Sequence, residues 1–177
     1  VRQPRPGHPC RGRRGIVAWP LGRAPDAPLQ PLPAACPQPG IDHLHAPDIA
    51  QAQWVKYSFL TALAAGTCAM RAPIGVIVAG EGGAEYMAAL HEECLAVAAA
   101  SGQPVSAQAQ ASARETLTAA GSPMKASMLR DVEAGQRVEA AHIVGDMVHR
   151  AAAHGIAVPR LHAAWVHLQA YEAQRAG

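Results

Sequence analysis

Aromatic side chains are scarce in this sequence: they make up 4% of its 177 residues, and phenylalanine occurs once. A core built without them must be filled by Ala, Leu, Val, Ile and Met, a composition that points to packed helices. Cysteine is also sparse. Cys10, Cys36, Cys68 and Cys94 share no CxxC or zinc-ribbon spacing, so neither a zinc knuckle nor a disulfide frame is expected, and free thiols in a reducing cytoplasm are the expected state. Long apolar runs are missing. The longest, Phe59 to Met70, ends at Arg71 and Pro73, well short of the roughly 20 residues a membrane span needs. An export signal would need an apolar run of about 7–15 residues behind its basic region, and Ile16-Val17-Ala18-Trp19 stops at Pro20. A soluble, cytoplasmic protein is therefore expected, with no membrane partner. Strand-like alternation is limited to Ile74–Val78, and no internal repeat is visible. The length suits one ordinary domain and excludes a complete two-domain enzyme.

What is present falls into two unlike parts. Residues 1–40 hold six Arg against Asp26 alone, a charge of +5, and ten of the fifteen prolines. A stretch so rich in Pro, with Gly7, Gly12, Gly15, Gly22 and Gly40 among them and no sustained period, is expected to support neither a helix nor a central strand. Arg11, Arg13 and Arg14 suggest a nucleic-acid arm, but the stacking aromatics or amphipathic helix that would make a binding surface are absent. A disordered segment over residues 1–39 is the expectation, with no nucleic-acid partner.

From residue 41 the charge turns to −3, nine basic against twelve acidic side chains, and breakers become isolated at helical spacing. Asp48 can cap a helix in which Ile49, Trp54, Tyr57, Leu60 and Ala64 recur until Gly66. A short Pro73–Ala79 turn of helix follows. Met87, Leu90, Cys94, Val97 and Ala98 then share one face of a helix closed by Gly102. Ser106–Ala120 predicts a weaker helix closed by Gly121, and Ser127–Glu133 a shorter one broken by Gly135. Ile143, Val144, Met147, Val148 and Ala151 form a stripe within Val138–His154, with Gly155 at the left-handed cap position. Pro159 opens a last helix to Arg175. The reading is an all-α domain of six or seven helices.

Few constellations in it promise chemistry. Gly80-Glu81-Gly82-Gly83 fails as a dinucleotide fingerprint, because Glu85 stands at the sixth position of GxGxxG and no convincing strand precedes it. It is expected to be a helix N-terminus only. Nine histidines invite a metal, yet His142, His149, His162 and His167 show no i, i+3 or i+4 spacing, and His91-Glu92-Glu93-Cys94 lacks the second His of HExxH. No metal site is expected, and the histidines are expected to be surface or half-buried. Lys56, beside Trp54, Tyr57 and Phe59, reads from periodicity as a snorkelling surface lysine whose stem covers apolar neighbours. Ser127 and Glu139 stand twelve residues apart across the Gly135 turn.

Four segments together, however, resemble the C-terminal domain of the ketopantoate reductases (2-dehydropantoate 2-reductases). They are Trp54-Val55-Lys56 with its apolar helix, Ser127-Met128-Leu129-Arg130-Asp131, Glu139 with Ile143-Val144-Gly145, and His154-Gly155-Ile156-Ala157-Val158-Pro159. The resemblance covers about residues 40–175. It implies the 6-phosphogluconate dehydrogenase C-terminal-like helical fold over residues 40–177, and reduction of an α-keto acid by NADPH. By the same resemblance, Lys56 supplies the proton or positive charge as the carbonyl oxygen becomes an alkoxide, Ser127 binds substrate, and Glu139 engages the substrate hydroxyl or orients the lysine. An ammonium placed where negative charge develops stabilises the transition state selectively. Lys56 and Glu139 are thus expected to be catalytic and Ser127 substrate-binding.

The pattern is not complete. Leu60 and Ala64 stand where typical members carry asparagines, and Ala141 where an acidic residue often follows, which leaves the keto acid open. The Rossmann domain that would hold NADPH is missing, so the expectations are no cofactor on this chain alone, an inactive chain, and a Rossmann-domain partner chain. The Arg, Pro, Ala and Gly dominance of residues 1–39 is what GC-rich DNA gives in a wrong frame, and an upstream frame lost by mutation or misreading is expected. The competing reading is a non-catalytic helical module that forms a homo-oligomer through its helices.

Overall fold

The computed structural model describes residues 48–176 and, ahead of them, the two strand segments Gly15–Ile16 and Asp42–His43. These pair in parallel, Gly15 opposite Asp42 and Ile16 opposite His43. The arginine-rich region therefore contributes a two-residue strand. Such a pair needs only backbone donors and acceptors, and Gly15 and Ile16 lie in a stretch clear of proline. The disorder expected across residues 1–39 falls otherwise outside the described residues, as do Cys10, Cys36 and His45. The chain divides into compact units at Val1–Ile49 and Ala50–Gly177.

The second unit is helical. It comprises α1 (Ile49–Met70), α2 (Ile74–Ala79), α3 (Gly83–Ala100), α4 (Ala107–Leu117), α5 (Ser127–Glu133), α6 (Asp146–Ala153) and α7 (Pro159–Ala176), with a π turn at Ala141–Gly145 running into α6. No strand occurs within residues 48–176.

Helix α1 is the axis of the core. Ser58 and the whole run Thr61–Cys68 are buried, so this half of the helix is enclosed all round rather than on one stripe. Its side chains are small because neighbouring helices come close. A Cβ on Gly66 would stand 2.4 Å from Met87 Sδ and 3.1 Å from Leu90 Cδ1. The expectation that Gly66 ends the helix needs correction, since it is a packing glycine in the helix interior and α1 continues to Met70. The stop is made by Arg71, which adopts a left-handed φ of 50°. The Ala72 amide then donates to Thr67 O at 3.2 Å and the Arg71 amide to Cys68 O at 3.3 Å, satisfying last-turn carbonyls. An arginine in this conformation carries about 1 kcal/mol of strain that a glycine would not.

The predicted stripe on α3 is buried throughout: Met87, Leu90, Cys94, Val97 and Ala98 all face the core. Leu117, Leu129, Met147, Leu161 and Leu168 join them from α4, α5, α6 and α7. Each such burial contributes about 2 kcal/mol. Helix α2 is held at its start by backbone, with Ile74 N–H donating to Met124 O (2.9 Å) and Gly75 N–H to Ser122 O (2.8 Å). Only glycine fits at 75, where a Cβ would lie 2.4 Å from Ser122 N.

Candidate functional site

The three residues expected to carry chemistry lie on separate elements: Lys56 on α1, Ser127 at the first position of α5, and Glu139 just ahead of the π turn. All three are exposed. Two hydrogen bonds bring their segments to α1. The Ala126 amide, immediately before Ser127, donates to Thr67 Oγ1 (3.4 Å), whose own hydroxyl donates to Leu63 O at 2.7 Å. The Tyr57 hydroxyl points to Ile143 O (3.0 Å), one helical turn beyond Glu139, and to Asp146 Oδ2 (2.8 Å). At 100° per residue, Lys56, Leu60, Thr67 and Tyr57 fall within a sector of about 100° of the α1 surface. No hydrogen bond or ion pair joins Lys56, Ser127 and Glu139 to one another. Among the described residues the Lys56 ammonium has no partner at all, whereas Lys125 donates to Glu133 Oε2 at 2.5 Å.

Tyr57 belongs to a polar cluster beside this sector that the sequence reading did not single out. Arg150 Nε donates to Asp146 Oδ2 at 2.6 Å, and its guanidinium lies 5.5 Å from the centre of the Trp54 ring. Burial raises the Tyr57 hydroxyl well above its ordinary range, reinforced by its hydrogen bond to Asp146. Burial also pushes the Asp146 carboxyl upward, but its bonds from Arg150 and Tyr57 outweigh that and hold it below the usual carboxylate range. Trp54, Tyr57, Arg150, Ala50 and Gln53 line an open groove of about 350 Å³. None of the three expected site residues lines it.

The turn into α6 follows from local packing. A Cβ on Gly145 would come within 3.1 Å of the Trp165 ring, so glycine there lets α7 lie against the π turn. The widened turn ends beside Ile143 and Asp146, the two groups the Tyr57 hydroxyl reaches.

The glycine loop does not fit a dinucleotide. Gly80–Gly83 follows helix α2 rather than a strand, and Gly82 is left-handed at φ 73°. Two of its backbone donors are spent internally, Gly80 N–H on Ile77 O and Gly83 N–H on Gly80 O. A Cβ on Gly83 would collide with Ile77 O at 1.9 Å, so the loop is closed against α2. It is a helix start, as the sequence suggests, with Gly82 at the cap position of α3.

Among the described residues, no three His, Cys, Asp or Glu side chains converge as a metal site would require. Cys68 and Cys94 are free and buried; burial pushes the Cys68 thiol to about 12 and raises Cys94 likewise. Burial of this kind favours the thiol over the reactive thiolate. His91 corrects the expectation that the histidines are surface or half-buried, since it is 3% exposed on the packed side of α3. Desolvation holds its imidazole below the ordinary range, with Glu92 opposing and Arg114 adding to the shift.

Glu93 is a structural acid that spacing does not reveal. Buried on α3, it accepts from Arg160 N–H (3.1 Å) and Leu161 N–H (2.9 Å), satisfying orphan donors in the first turn of α7. A carboxylate at a helix N-terminus is favoured by the helix dipole as well as by these bonds. The signal that could have found it is Pro159, which announces a helix start without a capping side chain of its own.

No helix among the described residues is long and apolar enough to cross a membrane. Similarity to known proteins extends over most of the helical unit. The profile of the family described as ketopantoate reductase PanE/ApbA C terminal matches residues 48–172. The uncharacterized oxidoreductase YkpB of Bacillus subtilis is 34% identical over 122 residues, 69% of this chain and 40% of that protein. A PanE/ApbA family ketopantoate reductase from Ralstonia eutropha JMP134 superposes with a TM-score of 0.78 at 26% identity, covering 94% of this chain and 54% of that one. A 2-dehydropantoate 2-reductase from Methylococcus capsulatus gives 0.66 at 26% identity, covering 78% and 47%. The chain thus spans roughly half the length of the proteins it matches. With the family profile matching residues 48–172 and the architecture all-helical over them, this chain belongs to the ketopantoate reductase family through its C-terminal domain.

Proposed function

We propose that this chain is the substrate-holding half of an NADPH-dependent reductase of α-keto acids, with Lys56 and Glu139 catalytic and Ser127 binding substrate. The supporting observation is that Tyr57 and Thr67 tie the segments carrying Glu139 and Ser127 to the face of α1 that presents an unpartnered Lys56. Reduction adds a hydride to the carbonyl carbon and a proton to the oxygen. The Lys56 ammonium would neutralise the growing negative charge on that oxygen and deliver its proton, and Glu139 would orient the lysine or hold a substrate hydroxyl. Ser127 would donate to the carboxylate or hydroxyl of the acid. NADPH supplies the hydride. In this reading a dinucleotide-binding domain holds it, in the cytoplasm, and a second copy of the helical unit is the expected oligomer partner.

The test joins residues 40–177 to the dinucleotide-binding domain of the Ralstonia eutropha relative and follows NADPH oxidation with a panel of 2-oxo acids. Turnover is expected, with Lys56→Ala lowering kcat by about 100-fold or more. Undiminished turnover in that variant contradicts the role given to Lys56.

A further inference from the structure

We infer that the cleft between α3 and α4 is a binding site for a small uncharged ring compound bearing a hydroxyl group, and that His91 is the residue that recognises the hydroxyl. The walls are built from positions that recur at one-turn intervals: Ala88, His91 and Leu95 on α3, and Ala107, Ala111 and Arg114 on α4. The α4 wall is short, with alanine at two of its three positions, and Leu117 is the one buried residue of that helix. Leu117 anchors α4 in the core and Arg114 pairs with Glu92 at 2.9 Å, which holds the two helices together without filling the space between them. That space is a cleft of about 240 Å³. Roughly 150 Å³ of apolar cavity holds benzene, so there is room for one ring with a short substituent.

His91 is the uncommitted polar group on these walls. It is 3% exposed, yet among the described residues neither of its ring nitrogens takes part in a hydrogen bond. Neither belongs with the fully enclosed orphan atoms, which are Ser58 Oγ, Thr61 Oγ1 and His167 Nε2. Its polar atoms therefore open on the cleft that it lines. The other polar side chains there are engaged, Gln110 donating its amide N–H to Val105 O (2.7 Å) and Arg114 donating to Glu92. Desolvation holds the His91 imidazole below its ordinary range, which keeps it neutral at pH 7. A neutral imidazole offers one donor and one acceptor, and a hydroxyl answers either. A carboxylate answers only the donor and must shed its water against Ala88 and Leu95. A plain hydrocarbon covers the alanines and the leucine but leaves the imidazole unpaired.

The experiment titrates the full chain with 4-methylphenol, toluene and benzoate and follows amide chemical shifts. 4-Methylphenol is expected to give saturable shifts at His91, Leu95, Ala107 and Ala111, and to bind about tenfold more tightly than benzoate. In His91→Leu its affinity should fall about fivefold while that of toluene holds or rises. Ala111→Leu places a larger side chain at an exposed position of the cleft, where the fold tolerates it, and should block both compounds. Absence of saturable shifts with 4-methylphenol, or benzoate binding as tightly, overturns the inference. So do equal losses for 4-methylphenol and toluene in His91→Leu, or binding that survives Ala111→Leu.

Discussion

The two halves of α1 obey different rules within one continuous helix. From Thr61 to Cys68 every residue is buried, and the side chains are small enough for α3 to approach within contact of Gly66. From Ile49 to Tyr57 the same helix is half-buried or exposed, and it carries Gln53, Trp54, Lys56 and Tyr57. A helix enclosed all round spends its sequence on shape; a helix that emerges from the core can present charge without desolvating it. The enclosed half packs against its neighbours on every side, and the emergent half leaves Lys56 exposed.

The contrast breaks most readily in the enclosed half. Leu63→Ala there should lose about 3 kcal/mol of stability, since Leu63 is buried in the core cluster and its removal leaves a cavity; chemical denaturation measures it. Gly66→Ala should cost about 2 kcal/mol despite the better helix propensity of alanine, because Met87 Sδ is already where the methyl must go. Combined with Met87→Ala, the cost of Gly66→Ala should shrink, a coupling that a double-mutant cycle reads directly.

The same opposition recurs on α3, where His91 is buried and Glu92 beside it is exposed. A histidine whose pKa is depressed in the fold favours its neutral form there, so the unfolded chain binds the extra proton. Its contribution is fully present above the ordinary value of 6.5 and is lost as pH falls through the lower folded value. Unfolding midpoints should decline over that window with a slope of at most about 1.4 kcal/mol per pH unit from this group, and His91→Gln should flatten it. At the join between the two halves of α1, Tyr57→Phe should cost about 1 kcal/mol by removing the hydroxyl that reaches Ile143 O and Asp146. The smallest effect belongs to the emergent half, where Lys56→Ala should change stability by less than about 0.5 kcal/mol while weakening 2-oxo acid binding.

The helices and the α3 stripe were legible because breakers and apolar periods are local signals, and Gly102, Gly121, Gly135 and Gly155 all take the positive φ expected of terminating glycines. Gly66 was misread because a glycine inside a helix and a glycine ending one look alike until the neighbouring helix is known. The π turn left no sequence signal, and the close approach of Trp165 to Gly145 inside it is a tertiary contact between residues 20 apart. Glu93 was passed over for the same reason, its two amide partners lying 67 and 68 residues away. Lys56, Ser127 and Glu139 were singled out by the resemblance alone, whereas the Tyr57 and Thr67 bonds that tie the neighbouring segments to α1 depend on tertiary contact and could not be read from spacing.

The account is tested most directly by mapping amide chemical shifts of this chain as a 2-oxo acid is added. It predicts that the shifts concentrate around Lys56, Ser127 and Glu139 and are lost in Lys56→Ala. Shifts confined to the groove of Trp54, Tyr57 and Arg150, or identical in wild type and variant, would contradict it.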